Sequence, residues 1–333
     1  MVLKTSGTAL CEAYDLAMLD LDGVVYIGGH AVPGAAESIA AVRSRGMKVA
    51  FVTNNAARPP ATVADHLRDL GIEAESGDVV NSAQAAAAVL RERYGARARV
   101  VLLGAVGLVE ALEDAGLVPV GVDEEAVAAV TGYGPDVVWR DVMRLASRIR
   151  DGLPWVASNT DGSLPTPYGV APGHGVMVDM IARFAGVTPT VAGKPEPPLL
   201  QETIRRVGGE RPLMVGDRLD TDIAGGTAAE VDTLLVMTGV TDLEGLAHAA
   251  PALRPTYISA DLGGLLAPHP RVEVVDDRCA VGGWEAFLDR DGALQVQGSG
   301  SADDWWRSVA ALSWARLDMT GSAPDVSRLR PPG

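Results

Sequence analysis

Short apolar runs that each stop at an oxygen-bearing side chain recur along this chain, with helical stretches between them. Residues 16–19 are apolar and end at Asp20; residues 49–52 are apolar and end at Thr53; residues 213–215 run into Gly216 and Asp217. Runs this short, bounded by Gly and Pro and separated by segments of helical period, read as buried strands joined by crossover helices. Residues 34–45 place Ala36, Ile39, Ala40 and Val42 at helical spacing, and Gly46 stops that helix. Pro59 and Pro60 open another that Gly71 closes. The alternation predicts an α/β chain built on a doubly wound parallel sheet, and such sheets put their ligands at the carboxyl ends of the strands.

The same rhythm continues. Helices are expected near 82–94, 107–115, 136–150 and 176–185, with strands at 100–103, 126–131 and 155–157. After Gly193 a helix near 198–207, a strand at 213–215, a helix near 221–229 and a strand at 233–236 follow. Pro251, Pro255, Pro268 and Pro270 mark an exit from this pattern. Beyond it, strands at 272–275, 284–288 and 294–296, an Asp291-Gly292 hairpin turn and a helix over 301–319 form a small module. Trp305, Trp306 and Trp314 read as its packing. A module this small does not bury enough surface to stand alone, so it is expected to dock on the rest of the chain or on a second subunit.

Charge narrows the partners. With 28 Lys and Arg against 43 Asp and Glu, the net charge is −15. That balance disfavours a nucleic-acid backbone or an anionic membrane. An anionic substrate then requires a bound cation and local basic groups to reverse the field, since remote charge is screened within about 8–10 Å. Cys11 and Cys279, far apart, suit a reducing cytosol and offer no metal-binding spacing. No signal-peptide core is seen at the N-terminus, and a cytoplasmic location is expected.

The chemistry-bearing residues gather at the strand ends. Asp20 and Asp22 lie two apart, so an extended backbone points both to one side. Asp20-x-Asp22-Gly23 also looks like a calcium loop, but the apolar strand before it and the lack of a Glu twelve residues on oppose that. Thr53, Asn54 and Asn55 follow the second strand, and Asp217, Asp220 and Asp222 follow a later one. Lys194 stands between Gly193 and Pro195. Clustered carboxylates repel unless a cation sits among them, and Mg²⁺ takes a few carboxylates plus water and substrate oxygens. A metal and a Lys can neutralise phosphoryl oxygens while one carboxylate attacks phosphorus and another moves the leaving-group proton.

Asp20-Leu-Asp22-Gly23, Thr53-Asn-Asn, Lys194 and Gly216-Asp217-x3-Thr221-Asp222 resemble, in order and spacing, the four motifs of the haloacid dehalogenase-like superfamily, over roughly residues 14–268. The resemblance implies Asp20 as nucleophile, Asp22 as general acid then base, and Thr53, Asn54, Asn55 and Lys194 around the phosphoryl group. It implies that Asp20, Asp217 and the backbone carbonyl of Asp22 hold Mg²⁺, with Asp222 supporting. Dehalogenases of the superfamily lack the second motif Asp, so Asp22 favours phosphate esters.

On this reading residues 1–77 and 187–269 form the core, 78–186 an inserted α/β cap and 270–333 the small C-terminal module. The cap resembles that of the branch acting on nucleotides, phosphoglycolate, pyridoxal phosphate and p-nitrophenyl phosphate. Ser158-Asn159-Thr160-Asp161, Pro165, Gly169 and Pro172-Gly173 fit that branch's cap loop. Asn159, Asp161 and His174 are thereby expected to select the alcohol as the cap closes over it. Two positions depart from the branch: His174, where many relatives carry a small residue between the glycines, and Trp139, where Tyr is common. A histidine in such a loop ordinarily faces solvent. The C-terminal module looks like that of actinobacterial members which append a small acetyltransferase-like tail, some acting on glycerol 3-phosphate. The expected function is Mg²⁺-dependent hydrolysis of a small phosphomonoester through an aspartyl phosphate, glycerol 3-phosphate first. Phosphoglycolate, UMP or another nucleoside monophosphate, pyridoxal phosphate and p-nitrophenyl phosphate are alternatives. A phosphomutase and a phosphoacceptor switch are the remaining readings; Asp22 and the large insert oppose the switch. Self-association, where it occurs, is expected through the cap or the C-terminal module.

Overall fold

The computed structural model describes residues 3–166 and 168–332. They form two compact units. One comprises residues up to Val49, Leu70–Ile72 and everything from Gly209; the other comprises Ala50–Asp69 and Glu73–Gly208.

In the first unit, strands Tyr257–Ser259, Asp232–Val236, Pro212–Gly216 and Leu16–Asp20 lie side by side in that order, all parallel. Four of the five residues of Leu16–Asp20 are buried, as a strand covered on both faces requires. Leu19 pairs with Val215, so Asp20 and Asp217 leave neighbouring strands at the same edge of the sheet. The helix expected near 221–229 is shorter and begins irregularly: a wide π turn, Leu219–Ile223, precedes the helix Ala224–Ala228. Wide turns of this kind occur often at functional sites.

The C-terminal module belongs to this unit. Strands Val274–Val275, Arg278–Val281, Trp284–Leu288 and Leu294–Gly298 form an antiparallel sheet. The Asp291-Gly292 turn joins the last two, with Gly292 at positive φ (82°) where a side chain would be strained. Helix Ala302–Thr320 starts at Ser301, whose side chain accepts from the Asp304 N–H. One apolar core runs from Leu235, Leu246 and Ile258 of the parallel-sheet region into Cys279, Val281, Leu294, Trp305, Val309 and Trp314 of the module. The Trp314 indole donates to the Leu246 carbonyl at 2.8 Å. Arg254, 5.3 Å above the Trp314 ring, makes a two-pronged ion pair with Asp318 at 2.7 Å on each arm. These contacts fasten the module to the core strands.

In the second unit, the end of strand Lys48–Thr53 runs parallel to Val79–Asn81. A five-stranded sheet, Thr190–Val191, Trp155–Ala157, Ala128–Thr131, Arg99–Leu103 and Val118–Val120, is also parallel throughout. Helices Trp139–Arg150 and His174–Ala185 bury Leu145, Ile149, Val178 and Ile181 against it. Helix Ser82–Tyr94 has a capping box: Asn81 and Gln84 each accept the other's backbone N–H. A hairpin, Ser163–Thr166 with Gly169–Pro172, projects from this unit. No helix among the described residues is long and apolar enough to cross a membrane.

Candidate active site

The first unit brings Asp20, Asp217 and Asp222 together, with one carboxylate oxygen from each lying within 4.8 Å of the others. Asp217 and Asp222 are fully buried and Asp20 is half-buried. Local backbone explains the crowding. A Cβ on Gly23 would come within 2.5 Å of the Asp217 carboxylate, and one on Gly239 within 2.0 Å, so two glycines let this side chain in. The Val240 N–H donates to Asp217 Oδ2 at 2.6 Å, and the Asp217 carbonyl accepts from the Thr241 N–H and hydroxyl at 3.1 and 2.5 Å. Asp222 packs onto Gly216, where a Cβ would meet it at 2.2 Å, and Asp222 Oδ2 accepts from the Arg218 N–H at 3.1 Å. Asp220 is engaged elsewhere, paired with Arg218 at 2.8 Å on the surface. Asp22, also of this unit, is exposed and outside the trio.

Three carboxylates this close, two of them fully buried, repel one another. A hard divalent cation with oxygen ligands fits the donor set. Gly239 and the 238–241 turn, which hold Asp217, were not singled out from the sequence; a turn 21 or more residues away gives no local signal of that contact.

The second unit holds Thr53, Asn54, Asn55, Lys194, Asn159, Asp161 and His174. Thr53 Oγ1 accepts from the Asn55 N–H at 3.1 Å, which leaves its own proton free to donate. Asn55 Oδ1 accepts from the Ala57 N–H at 2.9 Å. Asn54 is tied on every side. Its Oδ1 accepts from the Lys194 N–H at 2.8 Å, and its Nδ2 donates to the Lys194 carbonyl at 3.0 Å and to Asp161 Oδ1 at 2.9 Å. Its carbonyl accepts from Ser82 Oγ at 2.5 Å and from Asn159 Nδ2 at 2.8 Å. The amide side chain expected around phosphate is thus committed to holding Lys194 and the 159–161 loop. Ser82 is a partner the sequence did not suggest.

His174 differs from the expected solvent-facing loop residue. It is the first residue of helix His174–Ala185 and is 4% exposed. Its Nδ1 lies 2.8 Å from the Asn159 carbonyl, which can only accept, so Nδ1 carries the proton. Burial outweighs that hydrogen bond and pulls the imidazole down to about 4, so the ring is neutral at pH 7. Trp139 and His174, the two departures from the branch, line one groove.

A doubly wound parallel sheet with three acids at its strand ends and a buried lysine between glycine and proline defines a class of hydrolase. The chain belongs to the haloacid dehalogenase-like hydrolases: the family's model matches residues 17–118, and a second model of HAD-like hydrolases matches 191–265. It is 39% identical over 297 residues to the D-glycerol 3-phosphate phosphatase of Mycobacterium tuberculosis, covering 89% of this chain and 82% of that one. It is 34% identical to an acid sugar phosphatase of Staphylococcus aureus, covering 77% of this chain and 98% of the relative. Among solved structures, a glycerol phosphate phosphatase of M. tuberculosis in complex with magnesium superposes with a TM-score of 0.83 at 38% identity, covering 92% of each chain. A 4-nitrophenylphosphatase of Thermotoga maritima gives 0.71 at 28% identity, covering 77% of this chain and 98% of that one.

Proposed function

We propose that this hydrolase is a Mg²⁺-dependent phosphatase of small phosphomonoesters, with glycerol 3-phosphate as the first substrate. The observation that carries the reading is the trio Asp20, Asp217 and Asp222, two of them fully buried, at the carboxyl edge of the parallel strands. The likeness to the mycobacterial glycerol phosphate phosphatase over most of both chains supports the substrate.

Asp20 and Asp217, with the carbonyl of Asp22, would hold Mg²⁺, and Asp222 would support them. Bound there, the ion would supply positive charge to the phosphoryl oxygens. The Asp20 carboxylate attacks phosphorus, forming an acyl phosphate and breaking the ester P–O bond. Asp22, exposed and outside the trio, gives its proton to the departing alcohol oxygen. It then takes a proton from the water that attacks the acyl phosphate, releasing inorganic phosphate and restoring Asp20. Thr53 donates its hydroxyl proton to a phosphoryl oxygen, and Lys194, its backbone gripped by Asn54, supplies the second positive charge.

The C-terminal module is read as a docking or regulatory piece and not as a second enzyme. Its apolar core is continuous with that of the catalytic strands. A small phosphorylated metabolite, with neither nucleic acid nor membrane as partner, agrees with the net charge of −15. A cytoplasmic location agrees with two buried free thiols.

The test is phosphate release from glycerol 3-phosphate, phosphoglycolate, pyridoxal phosphate, UMP, AMP and p-nitrophenyl phosphate, with Mg²⁺ and with EDTA. Mg²⁺-dependent turnover with glycerol 3-phosphate preferred is expected. No release from any of them by folded, metal-loaded protein would overturn the reading.

A further inference from the structure

The start of helix Ala302–Thr320, in the C-terminal module, grips the carboxyl end of strand Tyr257–Ser259. Asp303 Oδ1 accepts from the Ser259 hydroxyl at 2.9 Å and from the Ala260 N–H at 2.8 Å. One turn on, Arg307 Nε donates to the Ile258 carbonyl at 3.2 Å. Asp304 pairs with that guanidinium at 2.7 Å, and Asp303 Oδ2 lies 3.7 Å from it. Ile258, Ser259 and Arg307 are all buried, so water does not readily take the place of these partners. A Cβ on Gly264 would come within 2.3 Å of Ser259 Oγ, which leaves the hydroxyl little room to turn from Asp303. Apolar packing is non-directional; these bonds fix where the helix meets the strand.

The same strand end carries the turn that reaches the acidic trio. The Met237 N–H is shared between the Ser259 and Ala260 carbonyls, at 3.1 and 3.2 Å. The residues that follow make the contacts. Thr238 Oγ1 donates to the Gly23 carbonyl at 2.5 Å, one peptide on from the Asp22 carbonyl assigned to Mg²⁺. The Val240 N–H donates to Asp217 Oδ2 at 2.6 Å, and the Thr241 hydroxyl donates to the Asp217 carbonyl at 2.5 Å. None of residues 237–241 is buried, and Gly239 and Val240 are exposed. A segment with so little packing of its own is held by its hydrogen bonds. Those at Met237 end on the two residues that Asp303 holds.

We propose that Asp303 is a positioning residue for the metal site: by holding Ser259 and Ala260 it fixes the 237–241 turn, and through the turn Asp217 and the Gly23 peptide, in the arrangement that takes Mg²⁺. The C-terminal module thereby tunes metal affinity through backbone contacts. The inference rests on the reading of Asp20, Asp217 and Asp222 as the Mg²⁺ site.

Calorimetric titration of Mg²⁺ into the full chain without substrate, paired with hydrogen exchange at the amides of 237–241 in the metal-free protein, tests the inference. Asp303→Ala should weaken Mg²⁺ binding about 3–30-fold, the range for coupling carried through a contact network. It should also speed exchange at Val240 and Thr241 more than elsewhere in the parallel sheet. Asp303→Asn loses the same charge but keeps an oxygen for Ser259 and Ala260, so it should bind Mg²⁺ nearly as the wild type does. Asp318→Asn weakens the module's other tie, the pair with Arg254, and should leave Mg²⁺ affinity unchanged. Ser259→Ala removes one of the two bonds to Asp303 and should move affinity and exchange the same way by less, which keeps the test decisive if Asp303→Ala misfolds. Wild-type affinity in Asp303→Ala or, failing that variant, in Ser259→Ala overturns the inference and leaves the metal reading standing. A loss in Asp303→Asn or Asp318→Asn as large as that in Asp303→Ala does the same, since charge or general loosening then explains it. A folded wild-type protein that binds no Mg²⁺ overturns the metal reading and this inference with it.

Discussion

Asn54 grips Lys194 from both sides of its peptide, accepting from the lysine N–H at 2.8 Å and donating to its carbonyl at 3.0 Å. Both residues are nearly inaccessible. The amide orientation follows from chemistry: only oxygen can accept from the Lys194 N–H, so nitrogen faces the Lys194 carbonyl and Asp161. The position of the lysine is thus coupled to the loop carrying Asn159 and Asp161.

Asn54→Ala removes three buried hydrogen bonds and should lower kcat/KM by about 10–100-fold, the effect of losing about 1–3 kcal/mol. Asn54→Asp keeps an acceptor for the Lys194 N–H but sets a carboxylate against the Lys194 carbonyl and Asp161, so it should rescue little. Steady-state kinetics with inorganic phosphate as inhibitor separates the cause: a misplaced lysine weakens phosphate binding in both variants. An unchanged phosphate inhibition constant would refute the coupling.

Asp20→Asn should abolish turnover, because an amide does not attack phosphorus at a useful rate. Asp22→Asn should slow the proton-transfer steps by ~10²–10⁴-fold. Phosphate release by the purified variants checks both, and more than a few per cent activity in Asp20→Asn removes it from the nucleophile role.

The acids were legible because strand ends carry their own signal. An apolar run that stops at Asp20 or at Gly216-Asp217 announces a buried sheet edge with carboxylates. What holds those acids was not legible. The Val240 N–H and the gap at Gly239 reach Asp217 only through the fold. Asn54 was read with the phosphate cradle because its neighbours belong there, and only its hydrogen bonds show that its amide is otherwise engaged. Strand Tyr257–Ser259 was missed because it is three residues long and close behind two prolines, and its burial comes from helix Ala302–Thr320 far along the chain. Strand Arg278–Val281 was missed for want of an apolar run: its pattern alternates exposed and buried, as one sheet face in water demands. The hairpin Ser163–Thr166 and Gly169–Pro172 has prolines where strands usually exclude them, and a two-stranded ribbon leaves room for that. A histidine between two glycines reads as a loop residue that ordinarily faces solvent, whereas here the glycines allow close packing on the 159–161 segment.

Asp217→Asn keeps the shape and an acceptor for the Val240 N–H while removing one of three clustered charges. Mg²⁺ affinity, read by calorimetry, should fall at least about tenfold. Metal-free, the variant should be no less stable than the wild-type protein, since a buried like-charge repulsion has gone. Addition of Mg²⁺ should raise the wild-type Tm and leave that of the variant nearly unchanged. Equal Tm shifts in the two proteins would mean that the trio is not the metal site.

Trp314 is 3% exposed in the core shared by the C-terminal module and the parallel sheet. Trp314→Ala should destabilise this unit by about 3–5 kcal/mol through the cavity it leaves, together with an unpaired Leu246 carbonyl. Urea unfolding followed by near-UV circular dichroism should show the loss in the transition that also exposes Cys279. If Cys279 reacts with a thiol reagent at an unchanged urea concentration, module and core do not unfold as one.

His269 makes stability depend on acidity. Its Nε2 donates to the Gly264 carbonyl at 2.9 Å, so Nδ1 is a bare acceptor for the Arg307 guanidinium, also at 2.9 Å. Burial, then the Arg307 charge, pull the imidazole down to about 4, against the opposing pull of Asp303 and Asp304. An unfolded histidine titrates near 6.5. Between those values the unfolded chain binds the extra proton, so this contribution is complete above about pH 6.5 and is lost as pH falls towards 4. The loss from pH 7.5 to 4.5 should be about 2–3 kcal/mol. His269→Gln can donate to Gly264 and accept from Arg307 without titrating. Its urea stability should therefore fall by about that much less than the wild type's over the same range, the His174 contribution being common to both. Identical pH slopes in the two proteins would show that His269 is not kept neutral by Arg307 and burial.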